Sequence, residues 1–143
     1  GHGGAAARIR AAASAAGVEN AVLLLGRVDD ALLQALYAAA DVHVFPVRAT
    51  AGDVEGFGMV ALEAAARGLP TAAYAVDGVP DALGHDGGSL VPAGDVNAMA
   101  TAITQLLRDG RAAWAERLAD WARQNDWQRY GAKLRQALAF QWS

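Results

Sequence analysis

The chain has 143 residues, enough for one domain with a core of its own. Hydrophobic residues make up 54% and charged residues 19%, which excludes a disordered chain. A net charge of −3 excludes the basic footprint of a nucleic-acid binder, and the lack of cysteine excludes a disulfide framework or a thiolate metal site.

These residues show no signal-peptide pattern and no stretch of membrane-span length, and a cytoplasmic location is the expectation for a cysteine-free chain. Gly1-His2-Gly3-Gly4 runs straight into a helical pattern, so the chain reads as cut from a longer one. Ala5–Ala16 is an alanine-rich helix stopped by Gly17. Ala21–Leu25 is a continuous apolar run closed by Gly26, the pattern of a strand buried on both faces. Asp29 or Asp30 is placed to cap a helix over Ala31–Ala40, in which Leu32, Leu33, Leu36 and Tyr37 recur at helical spacing. Asp41–Phe45 reads as a second strand, ended by Pro46, and a loop follows to Val54.

Thr71–Ala75 reads as a third strand. Pro80 suits the first turn of a short helix ending at Leu83, and Ser89–Val91 is a short fourth strand. Asp95 caps a helix over Val96–Leu107 with Met99, Ile103, Leu106 and Leu107 on one stripe. Arg111–Arg123 and Asp126–Trp142 complete the chain as amphipathic helices that carry all four tryptophans. Alternating strands and helices predict an α/β fold with a Rossmann-like parallel sheet of about four short strands plus C-terminal helices.

Asp53–Pro70 stands out from this pattern. Gly56 and Gly58 flank Phe57, so the backbone is free to bend there and approach a ligand closely. A helix runs from Gly58 to Arg67 and stops at Gly68 and Pro70. It is apolar almost all round, which predicts burial, yet it carries Glu63, a carboxylate that needs a hydrogen-bonding partner if buried. Glu55 precedes it with seven residues between. Ligands of open α/β sheets bind beyond the carboxyl ends of the strands, where this segment lies. The amides of Gly56, Phe57, Gly58 and Met59 suit an anion, and Glu55 and Glu63 suit paired hydroxyls, so the motif fits a ligand with both phosphate and polyol. A Glu63 satisfied by a neighbouring backbone group or arginine is the competing structural reading. His2, His43 and His85 are scattered; His43 reads as a satisfied core histidine rather than a ligand. Arg48, in the loop before Glu55, is placed to reach a phosphate or simply to be solvated.

Glu55-Gly56-Phe57-Gly58 followed by Glu63-Ala64-Ala65-Ala66-Arg67-Gly68-Leu69-Pro70 resembles the signature of retaining, nucleotide-sugar-dependent glycosyltransferases of group 1, also called family four. Gly1–Gly4, Val22–Val28, Leu36–Pro46, Gly87–Pro92 and the final helix with Trp127 fit that family in the same order. The resemblance implies that residues 1–143 are part of the C-terminal, nucleotide-sugar-binding domain of a GT-B fold. It implies an enzyme that transfers a hexose from GDP-mannose or a UDP-sugar to an unknown acceptor with retention. GDP-mannose is favoured because the Asp53-Val54-Glu55-Gly56 wording after the Arg48 loop is similar to bacterial mannosyltransferases of the phosphatidylinositol-mannoside type.

Glu55 would then meet hydroxyls of the transferred sugar, the amides of Gly56, Phe57, Gly58 and Met59 the sugar and diphosphate, and Glu63 the ribose. Arg27 and Val28 would meet the base edge. No metal and no cofactor besides the donor is expected. The implied partners are the donor and an acceptor-binding N-terminal domain of the same chain, with room for peripheral association of the whole protein with a membrane. The arginine and lysine that neutralise the diphosphate would lie before Gly1, so these residues alone are expected to be inactive and the Ala21–Leu25 strand to lose its sheet neighbours. Asp77 and Asp81 depart from the family's Gly-Gly-x-x-Glu turn, where they replace its first Gly and its Glu. A non-catalytic nucleotide-binding module and a sugar-nucleotide epimerase-like domain are the alternatives on the same scaffold.

Overall fold

The computed structural model describes residues 4–47, 58–126, 128–129, 131–132 and 135–136. The chain forms two compact units, Gly1–Leu36 and Tyr37–Ser143.

The first unit contains helix α1 (Gly4–Ala15), a 3-10 turn at Glu19–Ala21 and the start of helix α2 (Asp30–Ala39). Asp29 caps α2, its Oδ1 accepting from the Leu32 amide at 2.8 Å. The Ala21–Leu25 run does not form the expected strand. Val22 is extended, Leu23 is 80% exposed, and the run pairs with no strand among the described residues. An apolar run becomes a strand only when an edge is there to take its hydrogen bonds, and the run itself does not encode that edge.

Among the described residues the second unit has three parallel strands, where about four were expected for the chain: β1 (His43–Phe45), β2 (Thr71–Tyr74) and β3 (Gly88–Val91), in the order β1-β2-β3. Parallel neighbours need crossovers. Helix α3 (Met59–Ala65) lies in the first crossover and helix α4 (Val79–Leu83) in the second. His43 pairs with Thr71 and Phe45 with Ala73; Thr71 pairs with Gly88 and Tyr74 with Val91.

All four residues of the central strand are buried, and Ala72 and Ala73 are its smallest, which lets the helices approach closely. Gly88 shows how tight this pairing is. Its φ is +150°, and a Cβ there would stand 1.8 Å from the Thr71 carbonyl oxygen.

Helix α5 (Val96–Asp109) packs on β2 and β3, and helix α6 (Arg111–Gln124) packs on α3 and α5. Asp95 caps α5 through the Ala98 amide at 2.9 Å, as its position predicts. Met99 and Leu106 reach the core, Ile103 packs against it, and Leu107 at the stripe's edge is exposed. Trp114 and Leu118 of α6 join them, and Trp121 Nε1 donates to the Ala82 carbonyl at 2.9 Å. The final predicted helix is helical at 128–129, 131–132 and 135–136; the rest of it lies outside the described residues.

A single side chain ties two helix ends together. Arg111 Nε donates to the Gly68 carbonyl at 3.0 Å, and its terminal nitrogens donate to Ala38 at 2.6 Å, to Ala40 at 3.0 Å and to Arg67. Helix C-termini expose unpaired carbonyls, and a planar guanidinium has enough donors to satisfy several of them.

Candidate functional site

Three parallel strands send their carboxyl ends to one edge of the sheet, and the crossover helices begin there. β1 leads through Pro46 and Val47 to residues 48–57, which lie outside the described residues. Glu55, Gly56, Phe57 and Arg48 belong to that stretch.

The described part of the motif begins at Gly58, which caps α3 in the left-handed conformation with φ 69° and ψ 44°. It is buried, and a Cβ would come within 3.2 Å of the Phe45 ring and 3.6 Å of Val79. Glycine therefore serves twice here, once for the turn and once for the close approach of α3 to the end of β1 and the start of α4. The neighbouring turn is also left-handed. Asp77 has φ 44°, a conformation that glycine adopts more easily.

Helix α3 is not apolar all round in space. Ala61, Leu62, Ala64 and Ala65 are buried, whereas Met59, Glu63, Ala66 and Arg67 are exposed. Those four lie at i, i+4, i+7 and i+8, one stripe of a helix. The expectation of a buried Glu63 is thus corrected: the core is covered by the opposite face, and Glu63 looks outward beside Met59. The carboxylate is nevertheless tethered, because the Tyr37 hydroxyl donates to its Oε2 at 3.3 Å.

Tyr37 is 7% exposed, and its pKa is raised first by burial and then by the Glu63 charge and hydrogen bond. It stays a neutral donor at physiological pH. Sequence reasoning placed Tyr37 only on the apolar stripe of α2. The signal it missed is that a buried tyrosine hydroxyl needs a partner, which the exposed Glu63 carboxylate supplies.

Behind Tyr37 stands His43, edge-on with ring centroids 5.9 Å apart. His43 stacks on Phe45 at 6.1 Å, and its Nδ1 lies 3.1 Å from the hydroxyl of the fully buried Thr71. Burial lowers its pKa, so it is a neutral, satisfied histidine of the interior, as expected. In the first unit Arg27 is exposed and Val28 half-buried. The structure thus brings Gly58, Met59 and Glu63 together on α3. Among the described residues no group of three or more His, Asp or Glu side chains is placed to hold a metal ion, and no helix is long and apolar enough to cross a membrane.

Parallel strands joined by crossover helices, with a glycine turn at the start of α3, make this a Rossmann-like α/β domain. The family profile described as glycosyl transferases group 1 matches residues 1–109. The chain belongs to this family of GT-B glycosyltransferases.

It is 39% identical over 134 residues to a GDP-mannose-dependent alpha-(1-6)-phosphatidylinositol monomannoside mannosyltransferase of Mycolicibacterium smegmatis, covering 89% of this chain and 35% of that protein. It is also 39% identical over 117 residues to the phosphatidyl-myo-inositol mannosyltransferase of Mycobacterium leprae, covering 79% of this chain and 30% of that protein. Among solved structures, the sucrose-phosphate synthase of Thermosynechococcus elongatus superimposes with a TM-score of 0.70 at 31% identity, covering 92% of this chain and 34% of that one. The chain spans about a third of the length of these relatives.

Proposed function

We propose that the chain is the donor-binding part of a retaining glycosyltransferase that moves a hexose from a nucleotide sugar to an acceptor. The observation that carries this reading is Glu63, whose carboxylate stands on the open face of α3 beside Met59, one turn beyond the Gly58 turn and tethered by Tyr37.

An outward carboxylate with a free oxygen accepts hydrogen bonds from vicinal hydroxyls, and a nucleotide's ribose supplies them. Glu55 would accept from hydroxyls of the sugar being transferred. The amides of Gly56, Phe57, Gly58 and Met59 would bind sugar and diphosphate, and Arg27 and Val28 would border the base.

Glycosyl transfer breaks the bond between the anomeric carbon and the diphosphate oxygen, so negative charge grows on the leaving group. Backbone amides of the glycine turn would stabilise part of that charge. Basic side chains outside these residues would supply the rest, and this segment alone would then bind donor without turning it over. No metal or cofactor is needed in this scheme, and an N-terminal domain would bring the acceptor.

The names of the mycobacterial relatives favour GDP-mannose over a UDP-sugar as donor. The test is a thermal-shift screen of nucleotide sugars on the full-length protein, followed by transfer assays with the best ligand. GDP-mannose is expected to give the largest upward shift. No shift with any nucleotide sugar would overturn the reading, and transfer by the isolated 143-residue chain would overturn the expectation that it does not turn over donor alone.

A further inference from the structure

We infer that Tyr37 is a positioning residue for the nucleotide site, fixing the Glu63 carboxylate in the orientation that receives the ribose hydroxyls; this rests on the reading of Glu63 just given. The reason lies in what each side chain can do alone. Glu63 is exposed and has three rotatable side-chain bonds, so without a tether it samples many rotamers. To accept from two neighbouring hydroxyls at once, the carboxylate must be held in one orientation toward the ligand. A hydrogen bond from Tyr37 to Oε2 selects one orientation and occupies one of about four lone-pair sites, and among the described residues Oε1 accepts no bond.

The tether is useful only if Tyr37 is itself fixed, and it is. Its ring is buried edge-on against His43, which is held between the Phe45 ring and the Thr71 hydroxyl. Thr71 is 0% exposed and opens the central strand. The position of the Tyr37 hydroxyl is therefore set by the sheet, while Glu63 sits on the helix surface. A structural role accounts for the bond from the tyrosine's side, since its buried hydroxyl needs a partner, while the exposed carboxylate gains little stability from a bond that water could replace; ligand preference is what separates the two roles.

The experiment compares GDP with 2′,3′-dideoxy-GDP by calorimetry on the full-length protein, in the wild type and in Tyr37→Phe, Glu63→Ala and the double variant. Phenylalanine keeps the packed ring and removes only the hydroxyl. The wild type is expected to prefer GDP, and Tyr37→Phe to lose about 5- to 10-fold of that preference, the size of one oriented hydrogen bond. Glu63→Ala should abolish the preference, and adding Tyr37→Phe to it should change nothing more.

If Tyr37→Phe keeps the full preference while Glu63→Ala loses it, positioning is refuted and the role of Glu63 survives. If Tyr37→Phe weakens both ligands equally, or fails to fold, Tyr37 is structural and positioning is refuted. If Glu63→Ala retains the preference, the role of Glu63 falls and positioning falls with it.

Discussion

Arg111 offers a demanding test of the packing. Arg111→Met keeps an unbranched apolar stem and removes the guanidinium that closes the C-terminal ends of α2 and α3. Its bonds to Gly68 and Ala40 are part-buried, while those to Ala38 and Arg67 are exposed. Exposed carbonyls are rehydrated when the donor leaves, so they count for little. The two part-buried carbonyls lose about 1 kcal/mol each, and the loss of a positive charge at two helix ends adds about 0.5 kcal/mol each. The total is about 3 kcal/mol.

Urea unfolding followed by tryptophan fluorescence reads this directly, since Trp114 is buried and Trp121 packs against the core. Arg111→Lys should recover less than half, because an ammonium keeps the charge and lacks the planar fork. A loss below about 0.5 kcal/mol for Arg111→Met, or full stability in Arg111→Lys, would refute the reasoning.

Two further outcomes follow from the sheet. Gly88→Ala places a methyl group against the Thr71 carbonyl with no side chain able to yield, and should cost about 3 kcal/mol or more; an unchanged urea midpoint would contradict the register of β2 and β3. His43 is held neutral in the fold with its pKa below the ordinary value of 6.5, so the unfolded chain binds more protons and stability rises with pH. That stability is complete above the unfolded pKa and is lost as pH falls below it. Thermal melts from pH 7.5 to 5 should show this decline, and His43→Gln should flatten it. An identical decline in the variant would assign it to other groups.

Much of the described chain was legible because its signals are local. Asp29 and Asp95 announce helix starts by residue type and position, and each receives the expected amide. The strands His43–Phe45, Thr71–Tyr74 and Gly88–Val91 are short, mostly apolar segments between turn residues, and the helices between them are marked by Gly58, Gly68 and Pro80 at their ends. What was not legible depends on partners far along the chain. Leu23 is as apolar as any core residue and is exposed because Ala21–Leu25 finds no paired edge among the described residues.

Glu63 was expected inside because alanine is neutral about burial; only the packed helix shows which of its alanines face the core. The bond from Tyr37 crosses 26 positions, and those of Arg111 cross 43 to 73. No local pattern points to either. The candidate site was legible as a motif, with Glu55, Gly56 and Phe57 lying outside the described residues, but its tether to Tyr37 was not.

The central claim is that Glu63 receives the nucleotide's ribose. Calorimetric titration of GDP-mannose into the full-length wild type and Glu63→Ala tests it most directly. Loss of hydrogen bonds to a charged acceptor, about 1.5–3 kcal/mol, predicts affinity weakened by roughly ten- to a hundred-fold. Equal affinity in the two proteins would contradict the account.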